Sequence, residues 1–213
     1  MHQSLCVCAL IPRLETKTRL VLVIHRSEDR KTTNTGRLAA ECLVNSEVVV
    51  RGAMEDARGG DVVTFPPGMR PVLLYPADDA VPIAELARDD RPIALVVPDG
   101  NWRQASKVRG RVAGMRDLPC VRLPAGEPSV YRLRSEAHAH GLATIEAIAR
   151  AFGVFEGDGI RSALELPFRA MVERTLWARG ALADDEVTGG IPEGAMRHDP
   201  ESGVIGGRSG RSS

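Results

Sequence analysis

The sequence predicts an α/β domain with a mostly parallel sheet and helices on both faces. Three observations predict it. Short runs of Val, Ile and Leu recur along the chain, too brief to be helices. Amphipathic stretches with apolar residues at helical spacing separate them. The runs also lack the polar alternation of a sheet with one wet face. The 213 residues suffice for one well-buried domain, and 43% hydrophobic with 26% charged residues is ordinary for a soluble chain.

Taken in order, "TRLVLVIH" (Thr18 to His25) reads as a buried strand and "NTGRLAAECL" as a helix. "SEVVVRG" is a second strand and "RPVLLYP" a third, bracketed by Pro71 and Pro76. "AVPIAELARDD" predicts a short helix and "RPIALVVPDG" a central strand. The stretch after it places Ala105, Val108, Val112 and Met115 at helical spacing, fit to pack on the sheet. "CVRLP" is a further short strand. "GLATIEAIARAFGVFE" is a helix with Leu142, Ile145, Ile148, Ala149 and Phe152 on one side, and a last helix runs from about Ile160 to Arg179. Beyond Glu186 the composition turns to Gly, Ser, Arg and Pro with few apolar residues, which predicts a disordered tail. The expected organisation is thus a Cys-containing N-terminal extension over residues 1–17, one α/β domain over 18–185 and a tail over 186–213.

Charge and cysteine content narrow the function. Lys plus Arg equals Asp plus Glu at 28 each, so there is no global field for nucleic acid and any RNA contact must rest on a local patch. No uncharged stretch is long enough to span a bilayer, and the N-terminus lacks the pattern of a signal peptide. Cysteines fall as one close pair, Cys6 and Cys8, and two singles, Cys42 and Cys120. That is no disulfide framework, so a reducing cytoplasm is the expected setting.

Ligands of open parallel sheets bind at the carboxyl ends of the strands. Three strands here end in unusual chemistry: His25, Tyr75-Pro76, and Asp99-Gly100-Asn101-Trp102. Asp99 at such an end can be a base, an acceptor for a ligand, or the cap of the following helix. Trp102 can be packing, a stacking surface, or a wall of the pocket. Arg103, Lys107 and Arg111 fall at i, i+4 and i+8, and no acidic residue lies between Gly100 and Arg116. A charge run is usually a solvated face. Lying directly beside Asp99, this one is expected to meet a phosphate backbone.

Two more polar segments flank helix starts. "HRSEDRKTTNTGRL" carries Arg26, Arg30, Lys31 and Arg37 on the same strand-end side, with Asn34-Thr35-Gly36 as a cap and turn. "YRLRSEAHAHGLATIEA" carries Tyr131, Arg132 and Arg134, then His138 and His140, with Thr144 as the expected N-cap and Glu146 in the first turn. The two histidines read as loop residues, since no convincing set of other ligands accompanies them. The helix start after Gly141 offers amides suited to an anion.

"HRSEDRKTTNTGRLA", "LLYP", "DGNWRQASK" and "YRLRSEAHAHGLATIEAIA", in this order, resemble the DTW-domain proteins over roughly Cys6 to Glu156. That family comprises tRNA-uridine aminocarboxypropyltransferases, related to SPOUT-type knotted RNA methyltransferases, so the resemblance implies a SPOUT-like fold. It also implies transfer of the 3-amino-3-carboxypropyl group of S-adenosylmethionine to N3 of a uridine in tRNA, leaving methylthioadenosine. On this reading Asp99 takes or orients the N3 proton, helped by burial against Trp102. S-adenosylmethionine is expected against Tyr75, Pro76, Gly100, Asn101, Leu142, Thr144 and Glu146, with its carboxylate near Arg134. tRNA is the expected partner, met by His25, Arg30, Asn34, Arg103, Lys107, Arg111 and Arg132, with no membrane and no obligate protein partner. The alternatives are a SPOUT-type RNA methyltransferase using the same donor and an RNA-binding relative without activity.

Two departures from the family pattern stand out. Its Asp-x-Thr-Trp has Asn101 in place of Thr, with Pro98 before the Asp. Members also often carry a Cys-x-x-Cys ahead of the Cys-x-Cys, forming a zinc site. Here Cys6 and Cys8 stand with only His2 nearby, one short of a closed four-ligand site even with the histidine counted, so zinc is not expected and a truncated or lost ribbon is.

Overall fold

The computed structural model describes residues 3–52, 62–100, 102–131, 141–199 and 204–205. Six parallel strands form the main sheet: β1 (Arg19–His25), β2 (Ser46–Arg51), β3 (Arg70–Leu74), β4 (Val81–Pro82), β5 (Ile93–Asp99) and β6 (Cys120–Arg122). Their order is β2-β1-β5-β3-β6-β4. The expected sheet is present, and β5 is an interior strand, paired with β1 and β3.

Strand periodicity sorts the core into two layers. Leu20, Leu22 and Ile24 of β1 and Ile93, Leu95 and Val97 of β5 face one side, while Val21, Val23 and Val96 face the other. The first side is covered by α2 (Thr35–Cys42), α5 (Thr144–Glu156) and α6 (Asp158–Ala178). Ile145, Ile148, Ala149 and Phe152 of α5 are fully buried there, as their spacing predicts. Gly157, at φ 93°, makes the break between α5 and α6 that most residues would strain to adopt. Short α1 (Arg26–Asp29) follows β1 directly.

The second side differs from expectation. The stretch after β5 is two single-turn helices, α3 (Trp102–Ala105) and α4 (Val108–Arg111), instead of one long helix. Its apolar residues still pack as their spacing implies, since Val108, Val112 and Met115 are buried on the sheet. The helical stretch also ends at Arg111, for a tertiary reason. Val62 bridges Ala113 in parallel, the Val63 N–H donates to the Ala113 carbonyl at 3.0 Å, and Gly114 turns left-handed against the Val63 backbone. A helix continuing past Arg111 would forfeit that pairing. Similarly, the short helix expected from "AVPIAELARDD" is strand β4 followed by a 3-10 helix over Ile83–Arg88.

The chain ends also depart from the expected boundaries. Leu5 and Val7 are buried, and Leu14 bridges Leu43, so the described part of the N-terminal extension packs on the domain instead of standing apart. Order also continues past Glu186. Val187 is buried with Leu5 and Trp177, with Ile191 and Ala195 packed against them. Buried Arg174 donates to the carbonyls of Gly189 and Gly190 at 3.1 and 3.0 Å and to that of Cys6, tying both chain ends to α6. A few apolar residues and one buried guanidinium hold this segment, a signal that its Gly-rich composition hides. His198–Asp199 pairs with Val204–Ile205 as β7 and β8. Among the described residues, no helix is long and apolar enough to cross a membrane.

Candidate active site at the strand ends

Strand alternation carries Asp99 to the site. Ile93, Leu95 and Val97 point toward α2 and α5, so Asp99, two residues on, emerges on that same face. It is 6% exposed. The N-terminal ends of α2 and α5 converge on it. Asn34, the N-cap of α2, accepts from the Arg37 N–H at 2.7 Å and donates its amide to Asp99 Oδ2 at 2.6 Å. Thr144, the first residue of α5, donates its hydroxyl to Asp99 Oδ1 at 2.5 Å. Two helix dipoles therefore end beside one carboxylate, a favourable place for negative charge.

Gly36 lets α2 come this close. A Cβ there would lie 3.1 Å from Asp99 Oδ2 and 3.0 Å from Leu22 Cδ1. Glu146 anchors the other helix. It is buried, and its carboxylate accepts from Ser129 Oγ at 2.5 Å, from the Val130 N–H at 2.8 Å and from the Ala143 N–H at 2.7 Å. Expected as a donor-binding residue, Glu146 instead fastens the 129–131 segment to the start of α5 and occupies one of the amides expected to meet an anion. Thr144, expected as the N-cap, is the first helical residue, with Ala143 in the cap position. Its hydroxyl is thereby free to reach across to Asp99.

The neighbouring strand ends add a guanidinium and an imidazole. His25 and Arg51 are register partners at the ends of β1 and β2. Arg51 is buried and donates to the Gln104 carbonyl at 2.8 Å, placing a positive group at the end of α3. The His25 ring meets Ser27 Oγ at 2.7 Å and the Ser27 N–H at 3.2 Å. Partial burial, and secondarily the Arg51 charge, push its pKa below the usual histidine value.

The structure brings together Asp99, Asn34 and Thr144. Tyr75 and Pro76 leave β3 beside β5, the Tyr75 N–H held by the Val121 carbonyl at 3.0 Å, and Gly100 follows Asp99 directly. Asn34, expected at RNA, is engaged by Asp99 and by its own helix. Arg30, Lys107 and Arg111 are exposed on the segments that follow the strand ends, Arg111 as the last residue of α4. The break between α3 and α4 removes the continuous helix that would align Arg103, Lys107 and Arg111 in one stripe. Arg37 and Arg109 are paired, with Asp29 and Asp79. Asn101, Arg132, Arg134, His138, His140 and His2 lie outside the described residues, as do the side chains of Trp102 and Arg103. Cys6 and Cys8 are exposed with their Sγ atoms 2.7 Å apart, and no group of three or more metal-ligating side chains occurs among the described residues.

Arg51 and Gly36 escape motif reading. Arg51 was open to the strand-end argument applied to Asp99, because it closes an apolar run just before Gly52. Gly36 is legible only once α2 is placed against β5.

Residues 1–176 match the DTW domain. The chain belongs to the DTW domain family. It is 25% identical over 177 residues to tRNA-uridine aminocarboxypropyltransferase 2 of Drosophila melanogaster, covering 80% of this chain and 70% of the relative. It is likewise 25% identical over 185 residues to tRNA-uridine aminocarboxypropyltransferase A of Arabidopsis thaliana, covering 73% and 70%. Among solved structures it is similar to the SAM-dependent rRNA:acp-transferase Tsr3 from Vulcanisaeta distributa. That likeness has a TM-score of 0.44 and 16% identity over 80% of this chain and 79% of the other.

Proposed function

We propose that this DTW-domain chain is a tRNA-uridine aminocarboxypropyltransferase using S-adenosylmethionine as donor. The observation that carries the reading is the DTW match over residues 1–176, with Asp99 of its Asp-Gly-Asn-Trp segment at the meeting point of α2 and α5. The relatives' shared name supports the reaction type.

The donor's sulfonium makes the adjacent aminocarboxypropyl carbon electrophilic, so a uridine N3–C bond forms as the C–S bond breaks and methylthioadenosine leaves with the electron pair. The chain's part is to hold the base and to receive the N3 proton. Asp99 suits that task because Asn34 and Thr144 fix both oxygens while each keeps acceptor capacity. Tyr75, Pro76 and Leu142 supply walls at the same end of the sheet, Tyr75 and Leu142 half-buried and Pro76 exposed. Asn101, Trp102 and Arg134 complete the proposed donor site, Arg134 meeting the donor carboxylate. Arg30, Lys107 and Arg111, with Arg103 and Arg132, receive the tRNA backbone.

Mass spectrometry of tRNA nucleosides from cells with and without the protein tests this. Loss of an aminocarboxypropylated uridine in its absence is the expected result. Loss of a methylated nucleoside instead establishes a methyltransferase, and an unchanged nucleoside profile establishes an RNA-binding relative without this activity.

A further inference from the structure

The geometry points to a modification site remote from the strand ends: Cys6 and Cys8 form a reversible dithiol–disulfide couple that exchanges with low-molecular-weight disulfides. The placement of the two thiols carries this. Leu5 and Val7 are 1% and 4% exposed and sit in two different apolar clusters, while Cys6 and Cys8 are exposed. Buried neighbours therefore fix the backbone and leave both sulfurs facing solvent.

Val7, at φ −104° and ψ 6°, lies in the sparsely populated bridge region and folds the chain between two 3-10 turns. That fold brings Cys6 Sγ within 2.7 Å of Cys8 Sγ, and the Cys8 N–H donates to Cys6 Sγ at 3.3 Å. An extended chain would hold the two side chains much farther apart. Arg174 clamps the Cys6 carbonyl from α6, so the backbone turn that carries both thiols is tied to the fold. Cys42 and Cys120 are both buried, and burial pushes the Cys42 thiol up to about 12. The exposed pair alone is within reach of a solvent oxidant.

The exchange balances as two successive displacements. One thiolate attacks a disulfide RSSR, giving a mixed disulfide and one RSH. The second thiol then attacks the protein sulfur of that mixed disulfide, closing the Cys6–Cys8 bond and releasing the second RSH. Both cysteine protons end on the two RSH, and the protein loses two electrons. A bridge spanning a single residue is constrained, and exposed, constrained disulfides are the readily reduced ones.

The test uses the full chain, with its metal content measured first. The protein is equilibrated with mixtures of reduced and oxidised glutathione, quenched in acid, alkylated and mapped by mass spectrometry. The expected product has lost two hydrogens, carries no glutathione, resists alkylation at both Cys6 and Cys8, and regains both thiols with dithiothreitol. Cys6→Ser and Cys8→Ser should each trap a stable glutathione adduct on the remaining cysteine. A lasting adduct on the wild-type chain, full alkylation of both residues after oxidation, or stoichiometric zinc that shields both thiols would overturn the proposal. None of these readouts depends on transferase activity.

Discussion

Asp99→Asn removes the negative charge from a buried side chain while keeping its shape. The amide oxygen can still accept from Asn34, and the amide nitrogen can face Thr144, whose hydroxyl then turns to accept. Two charge-assisted bonds, worth about 1.5–3 kcal/mol each, become neutral ones worth about 0.5–1.5 kcal/mol. The worked loss is about 2–3 kcal/mol, or roughly 4–12 °C in Tm for a chain of this size. The fold survives that loss, so the variant can be assayed. Proton acceptance by a side chain contributes ~10²–10⁴-fold in rate. The assay is single-turnover transfer to tRNA with donor and RNA both saturating, alongside calorimetric titration of the donor. Donor affinity should hold while the transfer rate falls into that range. Thr144→Val is the control. It removes one orienting bond but keeps the charge, so its rate should fall much less than that of Asp99→Asn. A rate for Asp99→Asn within about threefold of wild type, far short of the base-catalysis range, would refute proton acceptance and leave Asp99 to join the two helices.

Neutralising Arg103, Lys107 and Arg111 together should weaken tRNA binding and flatten its salt dependence, with donor affinity unchanged; binding at several salt concentrations checks it. Glu146→Gln should destabilise the fold by about 2–4 kcal/mol, because an amide nitrogen would face donors that a buried carboxylate now satisfies; urea unfolding reads this loss. Arg51→Met should lower the transfer rate more than Arg51→Lys, since lysine can still donate to the Gln104 carbonyl; kinetics with both variants decide it.

The sheet was legible because its strands are buried on both sides and therefore read as unbroken apolar runs. Helix α5 was legible through its 3.6-residue spacing. Asp99 was legible as a strand-end carboxylate, but its partners were not. Asn34 and Thr144 lie 65 and 45 residues away in sequence, and nothing local shows that they meet. Glu146 looked like a ligand residue because it stands at a helix start, whereas two of its three bonds come from Ser129 and Val130, brought in by folding. The end of the helical stretch at Arg111 was hidden because its cause, pairing with Val62 and Val63, is tertiary. Composition likewise concealed the packed segment beyond Glu186, whose order depends on Arg174 of α6.

The central claim is aminocarboxypropyl transfer to tRNA, and incubating the purified chain with S-adenosylmethionine and unmodified tRNA tests it most directly. Chromatography and mass spectrometry of the nucleosides and of the spent donor read the outcome. The account predicts a uridine bearing the 3-amino-3-carboxypropyl group on N3, with methylthioadenosine formed in equal amount. A methylated nucleoside accompanied by S-adenosylhomocysteine, or tRNA bound but recovered unmodified, would contradict it.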